Sequence, residues 1–468
     1  MDAKQTEKFI DGFWESEAIP TITKYIEIPN QSPLFDPDWE KNGHMQRAVD
    51  LVCDWVEKQQ IPNSRLEVLE SEGRTPLLFL EIDGDKEGTV LLYGHLDKQP
   101  AMVGWEEGLG PWKPVLRDGK LYGRGGADDG YAIFAVVSAV KALKEQKAPH
   151  SRLVVIIECC EESGSVDLPH YVELLVDRIG KPELIICLDS GCGNYDQFWT
   201  TTSLRGSLVG NLTVKVLTEG VHSGDASGIV ASSFRILRNL LERLEDSETG
   251  KLLPPWLHVE IPENRAEETR VTADALGDAV HSHYPFVKGM KAITDDPYEL
   301  LLNKTWRPTL SITGQAGMPD LVQGGNVLRP ETSLKLSIRL PPSLPADGLE
   351  EKLRTLLESD PPYGAKVTFE TEKGAAGWEA PAVAPWLSSS VDRASQSFFG
   401  KEAASFGEGG SIPFMGMLGE KFPEAQFVIT GVLGPNSNAH GPNEFLHLQM
   451  AKNLSASVSH ILADYVQR

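Results

Sequence analysis

No apolar run in this sequence approaches the ~20 residues that a membrane-spanning helix needs. The opening stretch, MDAKQTEKFIDGFWESE, is polar and amphipathic and lacks the apolar core of a secretory signal, so a cytoplasmic location is expected. Cysteine is scarce and unpatterned. The five residues, Cys53, Cys159, Cys160, Cys187 and Cys192, are odd in number and form no CxxC pair. That excludes a disulfide frame or a zinc–thiolate site and implies reduced thiols in the core. Positive charge is also in deficit. Lys and Arg number 44 against 67 Asp and Glu, a net charge of −23, which argues against nucleic acid or an anionic membrane as partner and suits cations. A chain that is 41% hydrophobic and 24% charged has the balance of a soluble globular protein. At 468 residues it exceeds one ordinary core, so two domains are expected.

The stretch that organises the rest is LVVIIECCEESGS, residues 153–165. Its β-branched and aliphatic opening reads as a buried strand of a parallel sheet. It then places Glu158, Glu161 and Glu162 at or just past the strand's end. Like charges this close oppose one another's ionisation, and burial makes that worse. A metal ion would relieve the conflict. Two other apolar strands end in the same way. TVLLY (89–93) runs into Gly94-His95-Leu96-Asp97, and LIICL (184–188) into Asp189. Between them, Asp128 and Asp129 follow a glycine cluster and precede a helical pattern over 131–146. One Asp there suffices as a helix cap. The pair asks for more, and two aspartates would repel a phosphate. A final strand over 427–432 is followed eight residues on by His440. In open α/β sheets the carboxyl ends of the strands are where ligands bind.

From about residue 204 the pattern changes to alternating, half-exposed strands (207–217, 333–339) with amphipathic helices (230–244, 349–359), as in an α+β layer. The expected organisation is an α/β catalytic domain formed by residues 1–203 and 385–468, interrupted by an inserted α+β domain over 204–384. Residues 250–305, rich in Pro, Trp and charge, give no clear pattern, and 405–413 reads as a glycine-rich loop leading into a helix.

The sheet edge thus gathers His95, Asp128, Glu162, Asp189 and His440, with Glu161 to spare. Imidazole with carboxylate suits zinc, and also manganese or cobalt. Five ligands exceed one catalytic zinc and fit two divalent ions if a carboxylate bridges them, sharing a water whose pKa falls to ~7. Glu161, beside a ligand, is then the natural general base. Asp97, two residues past His95, can hold its imidazole tautomer. His222, in the glycine-flanked loop 219–225, is a candidate oxyanion donor, and Arg339 can grip a substrate carboxylate bidentately.

The motifs GHLD (94–97), GRGGADD (123–129), EESGS (161–165), LDSG (188–191), HSGD (222–225), EGGSIP (408–413) and AHGPNE (439–444) appear in one order across the chain. In them the sequence resembles the dinuclear zinc metallopeptidases of the carnosinase, aminoacylase and carboxypeptidase-G superfamily, and within it the cytosolic nonspecific dipeptidase and carnosinase branch. The resemblance implies a zinc-peptidase-like catalytic domain with an inserted lid that dimerises. It implies that His95 and Asp189 bind one metal, Glu162 and His440 the other, and that Asp128 bridges them, with a cis peptide between Asp128 and Asp129. Asp97 would orient His95 or tune the base, and Glu161 would shuttle the proton. His222 would reach the partner's site across a homodimer, and Asn326, Arg339, Gly410 and Ser411 would contact the substrate. The implied activity is hydrolysis of dipeptides or short peptides with a free carboxylate. The alternative within the family is an N-acyl amino acid amidohydrolase, and outside it a non-catalytic relative, which a lost ligand or base would betray. Three positions depart from the branch: Gly407 where Arg is common, Asn326 where Thr is frequent, and Lys98 where a small apolar residue is usual.

Overall fold

The apolar runs that end in His, Glu and Asp lie side by side. In the computed structural model, which describes residues 1–410 and 412–468, six strands form one mixed sheet. They are β1 (Ser64–Leu69), β2 (Leu77–Ile82), β3 (Lys86–His95), β4 (Ser151–Glu158), β5 (Leu184–Cys187) and β6 (Gln426–Ile429), in the order β1-β2-β4-β3-β5-β6. β4, β3, β5 and β6 are parallel, and β2 runs against both its neighbours. Alternation assigns each strand two faces. Val90, Leu92, Leu153, Val155 and Ile157 pack into a core with the helices Ala3–Phe13, Ala132–Glu145 and Leu448–Tyr465. Leu91, Tyr93, Val154 and Ile156 pack the other way, against Leu168–Leu174 and Pro413–Lys421. Burial on both faces is why these strands read as unbroken β-branched runs.

The amino-terminal stretch forms two helices, Ala3–Phe13 and Ile19–Ile26, joined by a π-helical turn at Trp14–Ala18. Trp14 is wholly buried there and donates from Nε1 to Ser455 Oγ at 3.2 Å.

A second, antiparallel sheet is built from Thr309–Ala316, Glu331–Leu340, Gly206–Lys215 and Lys366–Ala375, in that spatial order. Gly206–Lys215 alternates buried and half-buried residues along its length. The helices Ser233–Leu241 and Leu349–Glu358 cover the buried face. This is the α+β layer expected of the insert, and the two-domain α/β architecture stands.

A third sheet was not legible. Trp199–Leu204 pairs in parallel with Ala404–Glu408 and antiparallel with Trp378–Glu379, so the loop expected from residue 405 is a strand as far as Glu408. The unread region supplies two helices that rest on this sheet, Glu263–Leu276 and Pro297–Thr305. Thr272 Oγ1 donates to the Ser405 carbonyl at 2.6 Å, and Arg265 pairs with Glu268 at 3.0 Å and Glu379 at 3.2 Å. All five cysteines are free thiols. Among the described residues no helix is long and apolar enough to cross a membrane.

Candidate metal centre

Because β3, β4 and β5 are adjacent and parallel, their carboxyl ends coincide. His95 is the last residue of β3. Glu161 and Glu162 form a 3₁₀ turn just beyond β4, and Asp189 lies two residues past β5. Asp128 sits in the turn Gly126–Gly130 ahead of the helix Ala132–Glu145, and the Asp128–Asp129 peptide is cis. His440 comes from the loop after β6, where Asn436, Asn438, His440 and Asn443 all take left-handed backbone angles. Asparagine tolerates that region better than most residues, which accounts for the loop's composition.

These side chains converge. His95 Nε2 lies 3.6 Å from Asp128 Oδ1 and 3.7 Å from Asp189 Oδ1. On the other side, His440 Nε2 lies 3.1 Å from Asp128 Oδ2 and 3.5 Å from Glu162 Oε2. Two atoms that each bind a tetrahedral zinc at ~2.0–2.2 Å stand about 3.3 Å apart, so most of these separations suit ligands on either side of an ion. The two oxygens of Asp128 face different imidazoles, as a bridging carboxylate must. Ligand atoms of His95, Glu161 and Asp189, and of His95, Asp128 and Glu162, fall within 4.8 Å of one another. His95 Nε2, Asp128 Oδ2 and Glu162 Oε1 are buried without a hydrogen-bond partner, which a cation would satisfy.

Electrostatics point the same way. Burial pushes the Glu161 carboxyl up and Asp189 pushes it further, while Glu162 is raised by burial and then by Asp128. Burial alone would raise Asp128 as well, but the facing imidazoles of His440 and His95 outweigh it and hold this carboxyl below its usual range. Packed carboxylates this costly to ionise are balanced by a divalent ion in their midst. The donor set, imidazole and carboxylate, fits such an ion.

The supporting contacts refine the sequence reading. Asp97 was expected to orient His95 or tune the base, and its carboxylate lies 3.4 Å from His95 Nδ1. His95 Nδ1 also donates to the Asp97 backbone carbonyl at 3.0 Å. A carbonyl can only accept, so Nδ1 carries the proton and Nε2 presents its lone pair to the site. The Asp97 carboxylate accepts the N–H of Glu161 at 3.1 Å and of Glu162 at 2.9 Å, fixing the turn that carries both glutamates. Gln99 Nε2 donates to Glu162 Oε2.

Glu444 does for the Asp128 turn what Asp97 does for Glu161 and Glu162. It is fully buried and accepts from the backbone N–H of Gly125, Ala127 and Asp128, and it pairs with Arg124 at 2.6 Å. From sequence Glu444 reads as support for the His440 loop. It also holds the Asp128 turn, and the sequence signal missed was a buried carboxylate matched to a buried arginine.

Lys98, one of the departures, is buried under the same edge. Its ammonium donates to the carbonyls of Tyr25 and Ile28, each at 2.8 Å, and lies 3.9 Å from the Tyr25 ring centre. Tyr25 is in the last turn of the helix Ile19–Ile26 and Ile28 lies two residues past its end, where a basic side chain is favoured.

The residues expected to meet substrate lie elsewhere. His222 is exposed and pairs with Val327 in a short ladder, and Ser223 N donates to the Asn326 carbonyl at 2.9 Å, so His222 and Asn326 share one exposed corner of the insert. Among the described residues no hydrogen bond or ion pair joins that corner to the candidate metal ligands. Arg339 is half-buried in Glu331–Leu340 and lies near Arg205, whose guanidinium is pushed down first by burial and then by this second positive charge. Arg205 Nε donates to the Gly409 carbonyl at 3.2 Å, which places Arg205 beside Gly410. Ser411 lies outside the described residues. Gly407 leaves no room for the arginine common there, because a Cβ would come within 2.6 Å of Ser203 Oγ and 3.0 Å of Thr305 Cβ.

A family model described as peptidase family M20/M25/M40 matches residues 91–464. The chain belongs to this family. It is a metallopeptidase, and several relatives are similar to it along most of their length. Human beta-Ala-His dipeptidase is 30% identical over 92% of this chain and 86% of its own. Cysteinylglycine-S-conjugate dipeptidase of Corynebacterium striatum is 27% identical over 78% of this chain and 79% of its own. The crystal structure of human carnosine dipeptidase 1 superimposes with a TM-score of 0.78, covering 100% of this chain and 99% of that one at 24% identity, which establishes the shared fold.

Proposed function

We propose that this metallopeptidase hydrolyses the peptide bond of dipeptides or short peptides with a free C-terminal carboxylate, using two divalent ions per chain, zinc foremost. The reading rests on Asp128, whose two oxygens face His95 on one side and His440 on the other. His95 and Asp189 would hold one ion, Glu162 and His440 the second, with Asp128 between them. The ions would polarise the scissile carbonyl and lower the pKa of a bound water to ~7. Glu161 would take that proton on its carboxylate and return it to the leaving amine, a role suited to a carboxyl raised by burial and by Asp189. Arg339, Asn326, Gly410 and Ser411 would seat the substrate's carboxylate end. The dipeptidases among the relatives favour this over acyl amino acid hydrolysis.

Elemental analysis together with a panel of dipeptides and N-acetyl amino acids, before and after chelation, tests the reading. The expected result is about two metals per chain and dipeptide cleavage that chelation abolishes and zinc restores. Cleavage of N-acetyl amino acids alone would replace the proposal with the amidohydrolase. A metal-free, inactive chain after zinc, manganese or cobalt addition would overturn it.

The catalytic part would comprise residues 1–203 and 385–468, and the insert 204–384 would be a lid through which two copies associate. Thr309–Ala316 supports this. It is an edge strand, carries no charged residue and is largely exposed, and an edge of that kind invites a further strand. Close by in sequence, Leu321 and Val322 are 99% exposed. Exposed His222 would then serve the partner's site. Mixing inactive His222→Ala with inactive Glu161→Gln should therefore restore part of the wild-type activity, since a mixed dimer has one complete site. Mixed dimers without activity would refute the cross-subunit role.

A further inference from the structure

We propose that Glu408 is a positioning residue for the metal ligand Asp189, linking its turn to the Gly409–Gly410 segment. Glu408 closes the strand Ala404–Glu408. Its Oε1 accepts the N–H of Gly191 at 2.8 Å and the hydroxyl of Ser190 at 3.1 Å, and lies 3.4 Å from Thr201 Oγ1. Ser190 and Thr201 are themselves 2.7 Å apart. Both donors to Glu408 that flank Asp189 come from the two residues after it, so this one oxygen fixes the path of the turn. A Cβ on residue 191 would lie 2.6 Å from Glu408 Oε1, so a larger residue there would displace this carboxylate.

The backbone of Glu408 engages the opposite side. Its carbonyl accepts from Arg205 N at 3.3 Å, and the next carbonyl, of Gly409, accepts from Arg205 Nε at 3.2 Å. Side chain and main chain of a single residue therefore join the Asp189 turn to the chain that runs on to Gly410. Ordinary strand pairing with Trp199–Leu204 requires no carboxylate at this position. A carboxylate turned onto the residues following a metal ligand is the arrangement by which outer-sphere groups orient such ligands.

The inference rests on Asp189 being a metal ligand. The test is calorimetric titration of the chelator-stripped full chain with Zn2+, with kcat and KM measured on the same variants. Wild type should bind two zinc ions, and Asp189→Asn should lose or strongly weaken one. Glu408→Ala should weaken one of the two sites by ~10- to 100-fold, with kcat reduced. Glu408→Gln keeps the Oε1 acceptor and should stay close to wild type. Glu408→Asp keeps the charge but not the reach, and should resemble Glu408→Ala; it carries the test if the alanine variant does not fold. Unchanged zinc affinity in Glu408→Ala or Glu408→Asp would overturn the proposal, as would a Glu408→Gln variant weakened as much as Glu408→Ala. A wild-type chain that binds two zinc ions but cleaves no peptide would remove the dipeptidase reading and leave the role of Glu408 standing. A wild type that binds no zinc would remove both.

Discussion

Glu161→Gln should lower kcat by ~10²- to 10⁴-fold, the range expected for loss of a general base, while the chain keeps both metals. Glutamine has the shape of glutamate and cannot take up a proton. The Glu161 backbone N–H is held by Asp97 whatever the side chain, so the turn and Glu162 stay in place. Metal content is the second readout because the geometry allows a rival role. Ligand atoms of His95, Glu161 and Asp189 lie within 4.8 Å of one another, close enough for Glu161 to be a ligand itself. A ligand role predicts a variant short of one metal. A base role predicts full occupancy, a collapsed kcat and a KM changed little. Full turnover in Glu161→Gln would exclude both.

Much of the side-chain cluster was legible because each candidate ligand sits where chemistry interrupts a physical pattern. His95, Glu162 and Asp189 follow β-branched runs that only a doubly covered strand explains, and parallel neighbours bring such ends together. In the parts that were not legible, buried polar contacts are mixed with the apolar ones. Trp199–Leu204 buries Thr201, Thr202 and Ser203, so it shows no hydrophobic periodicity. Thr201 and Thr202 bond to groups more than sixty residues away, Glu408 and Glu268. Glu263–Leu276 buries Arg265, Thr269 and Thr272 beside a single alanine, which leaves no apolar stripe to find. The same reason hid a second task of Asp97. Its position two residues past His95 suggested a side-chain contact, which is present at 3.4 Å, but gave no sign that the same carboxylate also holds the Glu161–Glu162 turn.

Glu444→Ala should destabilise the chain by ~3–5 kcal/mol, the cost of breaking a buried ion pair from one side, and should empty the metal centre as well. Glu444 and Arg124 are both almost wholly buried, at 0% and 1% exposure. Removing the carboxylate leaves the guanidinium without its counter-ion and three backbone N–H groups of the Asp128 turn without an acceptor. Arg124 also donates to the carbonyls of Gly441 and Pro100, next to His440 and Gln99. One ion pair therefore spans the segments that deliver Asp128 and His440, and it reaches the residue that bonds Glu162. Urea unfolding with metal analysis on Glu444→Ala and Glu444→Gln separates the contributions. The glutamine variant keeps an acceptor for the turn and loses only the charge, so it should lose stability while retaining more metal than the alanine variant. If Glu444→Ala unfolds at the wild-type urea concentration with two metals bound, the pair is incidental to the site, and the Asp128 turn must be held by the metal ions themselves.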